Sequence, residues 1–463
     1  MAAPSDQAAR EAAAARKAAV KVSRVKRSIL ERQKPTRQMG VGPPIYVGHG
    51  DARRLLADGA GLCSPGLWPP DRRLPLSGVA EQLHQALQFE LRAFGGSVEG
   101  GLPRVLADLS AGRLRENPFP AEATARLQEY VRGVSTKHRV ELEPGEEHQD
   151  QPVDVLLLGS VLRALGDPDW AVMKVYATGV PIGLGVDMPR TPAVFPPKLK
   201  YSLKEQKEWG GSGDHAEAYQ GKTRTNYASA VGFAKEVEAA LEKQVAAGQT
   251  LKLPLTEARR RYGARLAIAS LSALEKGVSD EGEVEVRVLH DGTNGVDTNR
   301  YIRVLDGGSS PQAPDIKATM RHQAGKGVPH CGLTVDVKDA HKVVAVRPED
   351  WPLVACQVYP DGAVYLNMRG TFGIASAAYW WGRLAAALQR SALMVLGPRL
   401  PLWVLLFADD FNLTAEGREF ASSLLAFVWW LVLFRVPLSW KKSQGGLVYC
   451  WVGFELSLRE WPL

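Results

Sequence analysis

Three aspartates are spaced so that they could share a cation. Asp409 and Asp410 stand side by side in Leu405-Leu406-Phe407-Ala408-Asp409-Asp410-Phe411-Asn412-Leu413, between two short apolar runs and with no glycine or proline to relax the chain. The flanks 403–407 and 411–413 read as strands around a tight turn, which puts the pair at a hairpin tip. Two adjacent carboxylates repel, and burying them costs several kcal/mol unless a cation or a donor compensates. Aspartate is also a common turn residue, so this stretch alone is equally a plain acidic turn. The third carboxylate weighs against that reading. Asp336 ends the apolar run of Cys331-Gly332-Leu333-Thr334-Val335-Asp336-Val337-Lys338-Asp339-Ala340-His341. If the two strands are neighbours in one sheet, Asp336, Asp409 and Asp410 meet at one edge. Such a cluster calls for divalent cations, and two Mg²⁺ ions about 3.5–4 Å apart can activate a hydroxyl and stabilise a leaving phosphate oxygen. Oxygen ligands without a His or Cys ligand set suit Mg²⁺, with Mn²⁺ as the alternative.

Between the two acidic stretches lies Asn367-Met368-Arg369-Gly370-Thr371-Phe372-Gly373-Ile374-Ala375-Ser376-Ala377-Ala378. Glycine lets a backbone approach a ligand closely, and the small residues that follow open a helix whose first N–H groups are free. An ordinary loop before a helix has the same composition.

The elements that must position these residues are legible in outline. Helical periodicity runs over 79–91 and 121–131, and 153–165 is a compact apolar segment, a core helix or a strand and turn. The acidic stretch 141–150 reads as a linker. A long polar helix is expected over 226–247, and Arg259-Arg260-Arg261 as a solvated helix end. Strands are expected at 334–336 and 355–359, the latter turning through Pro360-Asp361-Gly362 into 364–368. A helix follows over 375–393, then the Asp-Asp hairpin. A second helix is expected over 415–433, with Thr414 as N-cap and Glu416 in its first turn. A last hairpin spans 447–458. Interleaved antiparallel strands and helices predict an α+β layer, one sheet with helices on one face.

Composition narrows the class. The chain has 463 residues, 45% hydrophobic and 23% charged, ordinary for a globular protein, with a length prior of about three domains. The net charge of +7 is concentrated in residues 1–38, which hold ten Lys/Arg against three acids. A basic arm on a near-neutral body suits a polyanion, although a solvated tail reads the same way. Residues 39–75 and 180–215 are rich in glycine and proline, including Gly210-Gly211-Ser212-Gly213. Nine of the twelve tryptophans lie beyond residue 330, which marks the densest core. The four cysteines, Cys63, Cys331, Cys356 and Cys450, are scattered, which argues against a zinc site or disulfide framework and suits a reducing, intracellular setting. The N-terminus lacks a secretory core, and the longest apolar run, 424–434, is too short to span a bilayer and reads as a buried helix. No membrane partner is expected, and nucleus or cytoplasm stays open.

The order of these motifs resembles the palm of a reverse transcriptase of the retrotransposon and pararetrovirus-like type. The carriers are Asp336-Val-Lys-Asp-Ala, Thr371-Phe372-Gly373-Ile374-x-x-Ala377-Ala378, Phe407-Ala408-Asp409-Asp410, Ser439-Trp440-Lys441-Lys442-Ser443 and Trp451-Val452-Gly453-Phe454, within about 331–457. None is specific alone; five in order are. The family has proline where this chain has Thr371 and Ala378. The resemblance implies a palm-and-fingers α+β fold, an antiparallel sheet backed by helices, behind a mostly helical or irregular N-terminal region. It implies segments 1–38 (basic arm), 39–250 (role open), 251–330 (fingers-like) and 331–463 (palm, without a thumb). Its activity would be RNA- or DNA-templated DNA synthesis, with two Mg²⁺ ions, dNTPs and a primed template as partners.

Residue by residue, the resemblance makes Asp336 and Asp409 metal ligands with the Val337 carbonyl, and Asp410 an assistant. Phe372 and Gly373 would line the nucleotide pocket. His341 falls where the family carries an aromatic residue under the sugar, and imidazole is smaller. Lys441 or Lys442 would meet the pyrophosphate, and 451–454 (Trp451, Val452, Gly453, Phe454) would grip the primer. Val286-Arg287-Val288-Leu289-His290-Asp291 resembles a fingers strand, with Arg287 on the triphosphate. The chain ends nine residues after Phe454, which leaves no room for a thumb or a ribonuclease H domain. A truncated, inactive nucleic-acid-binding remnant is therefore the alternative expectation, and an RNA-templated RNA polymerase the third.

Overall fold

The structure, a computed structural model, describes residues 77–192, 194–195, 224–278, 282–308, 310–311, 316, 330–397, 400 and 402–458. The basic arm, the stretch 39–75, Cys63, Trp461 and the glycine cluster 210–213 lie outside the described residues.

Among the described residues five helices come first: α1 (Gly78–Ser97), α2 (Gly101–Ser110), α3 (Ala121–Ser135), α4 (Val155–Ala164) and α5 (Val172–Thr178). The hydroxyl of Ser77 accepts from the Ala80 N–H, and the Asp154 carboxylate from the Leu157 N–H, so α1 and α4 start at side-chain caps. The segment 153–165 is thus a helix.

The polar helix expected over 226–247 is two: α6 (Ala228–Gly232) and α7 (Ala234–Ala246). Asn226 stays outside it, because its amide donates to the Gln357 and Val358 carbonyls while its Oδ1 accepts from the Leu271 N–H. The chain continues through β1 (Thr250–Leu253), α8 (Leu255–Tyr262), β2 (Ile268–Val278), β3 (Val284–Asp291) and α9 (Thr298–Tyr301). Then come β4 (His330–Asp336), β5 (Ala355–Gln357), β6 (Val364–Asn367), α10 (Ala375–Leu396), β7 (Leu402–Phe407), β8 (Asp410–Glu416), α11 (Phe420–Leu433), β9 (Gln444–Gly446), β10 (Val448–Trp451) and β11 (Phe454–Ser457).

Among the described residues the strands form three sheets, where the sequence predicts one. Strands β7-β8-β4-β9 make a four-stranded antiparallel sheet, β1-β6-β5-β2-β3 a mixed five-stranded one, and β10-β11 a separate hairpin. Strands β5 and β6 therefore leave the Asp-bearing sheet: β6 pairs with β1, from far upstream, and β5 runs parallel to β2. A second correction concerns α11. Thr414 and Glu416 are not its cap and first turn but the end of β8, where they pair with Gly332 and His330. A central strand covered on both faces loses the polar alternation that would mark it, and the helix starts only at Phe420.

Strand β7 shows how the core is layered. Leu402 and Val404 belong to one core cluster with Leu384, Leu388 and Phe427 of α10 and α11, whereas Trp403 and Leu405 belong to another with Tyr449, Trp451 and Leu456 of the hairpin. Period-two alternation thus serves two apolar layers. Helices α1 and α3 join the first layer: Phe119 stacks on Trp429 with centroids 4.6 Å apart, and the Trp429 indole N–H donates to Thr124 Oγ1 at 3.0 Å. The run 424–434 is the buried helix the sequence predicts.

A buried ion network fastens α10 to the loop after α4. Arg390 donates to Asp167 at 2.6 Å and Arg383 to Asp169 at 2.6 Å, and Arg383 also reaches Asp306 at 3.3 Å. Unpaired, any of these charges would be very costly at such burial.

Candidate active site

The pairing of β4 with β8 sets the site. Register places Asp336 directly opposite Asp410, with Val335 opposite Phe411 and Thr334 opposite Asn412. Directly opposed residues share a sheet face, so the two carboxylates end neighbouring strands on the same side. Asp409 sits in the two-residue turn between Phe407 and Asp410. Its carbonyl accepts from the Val337 N–H at 3.0 Å, and Val337 bridges to Leu438. The other turn residue, Ala408, has φ 53°, a left-handed conformation that is strained for any residue with a Cβ. The indole N–H of Trp381 on α10 donates to its carbonyl at 3.0 Å and holds the turn in place. The acidic tip is therefore anchored from two sides.

Charge confirms that the carboxylates feel one another. Burial, and then the negative charges of Asp336 and Asp409, push Asp410 up to about 6, while Lys442 acts in the opposite sense. The short turn 440–442 presents Lys441 and Lys442, and Lys442 Nζ donates to Asp336 Oδ1 at 3.0 Å. This ammonium is the cation now present at the cluster. The donor set, three carboxylates and nearby carbonyl oxygens, fits a hard divalent ion in its chemistry. Among the described residues, however, no three His, Cys, Asp or Glu side chains are arranged to hold a metal.

Two clefts meet here. One, of ≈ 650 Å³, is lined by Asp409, His341, Phe372 and Arg287, with Val337 and Lys342. The other, of ≈ 560 Å³, is lined by Asp336, Asp410, Lys441 and the 451–453 turn, with Ser110 and Gly112 from the end of α2. Lys442 lines both. The turn residue Asp409 and the paired residues Asp336 and Asp410 thus open onto different clefts.

The first cleft collects most of the expected substrate residues. His341 meets Phe372 edge-on at 4.6 Å, and the Arg287 guanidinium lies 5.5 Å from the Phe372 ring centroid. Phe372 is 41% exposed, large for an aromatic with no covering element. Burial holds His341 below the usual imidazole range, and Asp409 pulls the other way. Gly373 does not line this cleft. Its φ of 100° and its position are fixed by protein, not by a ligand: an added Cβ would lie 1.6 Å from the His290 carbonyl oxygen. A Cβ on Gly370 would likewise lie 2.5 Å from the His341 carbonyl oxygen. The two glycines let the loop lie backbone to backbone on β3 and on the turn after β4, and the His290 N–H donates to the Phe372 carbonyl at 3.1 Å. The start of α10 is not free either. Asn299 accepts from the Ala375 N–H at 2.7 Å and donates to the Gly373 carbonyl at 2.6 Å. Sequence reasoning missed Asn299, and a lone Asn after a turn carries no signal that would find it.

The second cleft is closed by the hairpin. Val452 and Gly453 have φ of 48° and 79°, a two-residue turn with both residues left-handed, and Trp451 pairs with Phe454 across it. Trp451 is buried against the sheet, whereas Phe454 is exposed. Tyr449 docks the hairpin by filling the space beside Gly332 and donating to Asn412 Oδ1 at 2.9 Å.

Fold and site together define a mixed α/β chain, with antiparallel and mixed sheets packed on helices and an acidic strand edge between two polar clefts. No family model matches the chain, and no curated protein matches it. Solved structures similar to it include the prototype foamy virus protease-reverse transcriptase CSH mutant, at 15% identity and TM-score 0.38 over 51% of this chain and 28% of that one. The foamy viral protease-reverse transcriptase dRH in complex with double-stranded DNA is 14% identical, with TM-score 0.36 over 51% and 35% of the two chains. The same viral protein with an RNA/DNA hybrid is 12% identical, with TM-score 0.37 over 51% and 27%. The matched part of each foamy viral chain is at most 35% of its length.

Proposed function

We propose that the chain is a nucleic-acid-templated DNA polymerase of reverse-transcriptase type. It would add a deoxynucleotide to a primer 3′-hydroxyl with release of pyrophosphate. The observation that carries this reading is the in-register opposition of Asp336 and Asp410 beside the Asp409 turn. In the proposed site Asp336 and Asp409, with the Val337 carbonyl, would hold two divalent ions, and Asp410 would support them. When bound, those ions lower the pKa of the attacking hydroxyl and offset charge on the leaving oxygen. Asp409 lines the first cleft and Asp336 the second, and Lys442 lines both, so the incoming nucleotide would occupy the first and the primer end the second. Arg287 and Lys442 would meet phosphates, and His341 with Phe372 would pack under the sugar and base. Lys441 and the 451–454 turn would steady the primer backbone. With Asp336 holding an ion, the Lys442 ammonium that now contacts it would be free to meet the pyrophosphate.

That same Lys442–Asp336 contact favours a second reading, a nucleic-acid-binding protein without synthesis, in which the ammonium keeps the metal's place. Primer extension separates the two. With Mg²⁺, a primed RNA template and deoxynucleotides, the wild-type chain is expected to extend the primer, and Asp409→Ala to lose at least a thousandfold in rate. Salt-sensitive binding by the intact chain with no Mg²⁺-dependent extension would overturn the polymerase reading.

A further inference from the structure

The floor of the first cleft holds a cation that neither the metal site nor the expected phosphate contacts use. Lys342 lines that cleft, and its ammonium donates to Asn367 Oδ1 at 3.0 Å. The amide of Asn367 is itself fixed, because its Nδ2 donates to the Val354 carbonyl at 2.9 Å, which turns Oδ1 towards the lysine. An ammonium has three N–H donors, and among the described residues this one has a single acceptor and no ion pair. Of the charged groups around it, Asp339 acts on it with a negative charge and Arg369 with a positive one, and neither is in an ion pair with it. The Cys356 thiol is kept protonated, burial pushing it up to about 12. His290 Nε2 lies 3.1 Å from the Ala355 carbonyl, and burial lowers that imidazole to about 4, so it is neutral. Lys342 is lowered mainly by burial, to about 8, and stays largely charged at neutral pH. Two further polar atoms on the same floor, His290 Nδ1 and His341 Nδ1, are buried and have no partner among the described residues. A cleft whose floor carries an ammonium with one acceptor and no ion pair, beside two unpartnered ring nitrogens, suits a polar, anionic occupant.

We propose that Lys342 anchors a phosphate oxygen of the nucleotide triphosphate from the floor of the cleft, opposite Arg287 on β3. Arg287 and Lys442 line the same cleft from other elements, so three separate segments would hold the triphosphate. The inference rests on the nucleotidyl-transfer reading for its ligand but has a test of its own. An anion site needs a cation without an ion pair, and the neutral Asn367 amide, rather than a carboxylate, preserves that.

The experiment is isothermal titration of inorganic tripolyphosphate into the full chain at low salt, together with steady-state extension kinetics. Lys342→Met is expected to weaken tripolyphosphate about tenfold or more, the worth of one charge-assisted hydrogen bond. It is also expected to raise KM for the deoxynucleotide with a smaller change in kcat, and Lys342→Arg to recover part of both. Asn367→Asp keeps the lysine and the volume but gives the ammonium an internal partner, so it too should weaken tripolyphosphate. If Lys342 only packs the floor, Lys342→Met lowers thermal stability and leaves tripolyphosphate affinity and KM unchanged, which overturns the proposal. Extension with normal KM in that variant rejects the anchor and spares the polymerase. Lys342-dependent tripolyphosphate binding without any extension does the reverse.

Discussion

At the scale of single residues, the backbone around the site is held in conformations that side chains resist. Ala408 and Val452 both adopt positive φ, and Val452 is β-branched. A left-handed conformation costs roughly 1–2 kcal/mol for such residues and persists only where surrounding structure enforces it. Both sit in the turns that border the second cleft or the acidic tip, the places where a fixed backbone direction is useful. Val452→Asn, which tolerates this conformation, is therefore expected to raise stability by about 1 kcal/mol in urea denaturation. An unchanged or lowered midpoint would mean that Val452 is not strained. The glycines of the 370–373 loop were legible as positions needing close approach, but not as to what approaches. Composition cannot distinguish a ligand from the His290 and His341 carbonyls that press against Gly373 and Gly370. Nothing in the sequence around Lys342 shows the cleft floor that closes around it.

At the scale of elements, the sequence made most of the site legible. The strands of Asp336 and of the Asp-Asp turn, the 375 helix and the last hairpin stand where periodicity and turn residues put them. What periodicity could not show was partnership. Strands β5 and β6 are read correctly as a hairpin, yet their sheet mates β1 and β2 lie a hundred residues upstream or thereabouts, and only tertiary packing pairs them. The start of α11 was misplaced because Thr414 and Glu416 imitate a helix cap while serving a central strand. Docking of the β10-β11 hairpin depends on one such partnership, Tyr449 in the space that a side chain on Gly332 would take. An added Cβ would lie 2.1 Å from the Tyr449 ring. Gly332→Ala is thus expected to cost a few kcal/mol, about 2–3, and to expose residues 447–458 to limited proteolysis ahead of the rest. Unaltered cleavage of that hairpin would show that Tyr449 does not dock it.

At the scale of the whole chain, the described N-terminal helices are not an appendage. Helices α1 and α3 share a core with α10 and α11, the α2 end lines the cleft of Asp336 and Asp410, and the Arg383–Asp169 and Arg390–Asp167 pairs bind the following loop to α10. No helix among the described residues is long and apolar enough to cross a membrane. The acidic edge is therefore reached through two clefts whose walls come from widely separated parts of the chain. The central claim is that Asp336 and Asp409 share divalent ions at that edge, although Lys442 now occupies Asp336. Electron paramagnetic resonance of Mn²⁺ titrated into the full chain tests it most directly. The account predicts two bound ions close enough to couple, lost in Asp336→Asn and Asp409→Asn and tighter in Lys442→Met. Mn²⁺ binding that is absent, or that survives both aspartate substitutions, would contradict it.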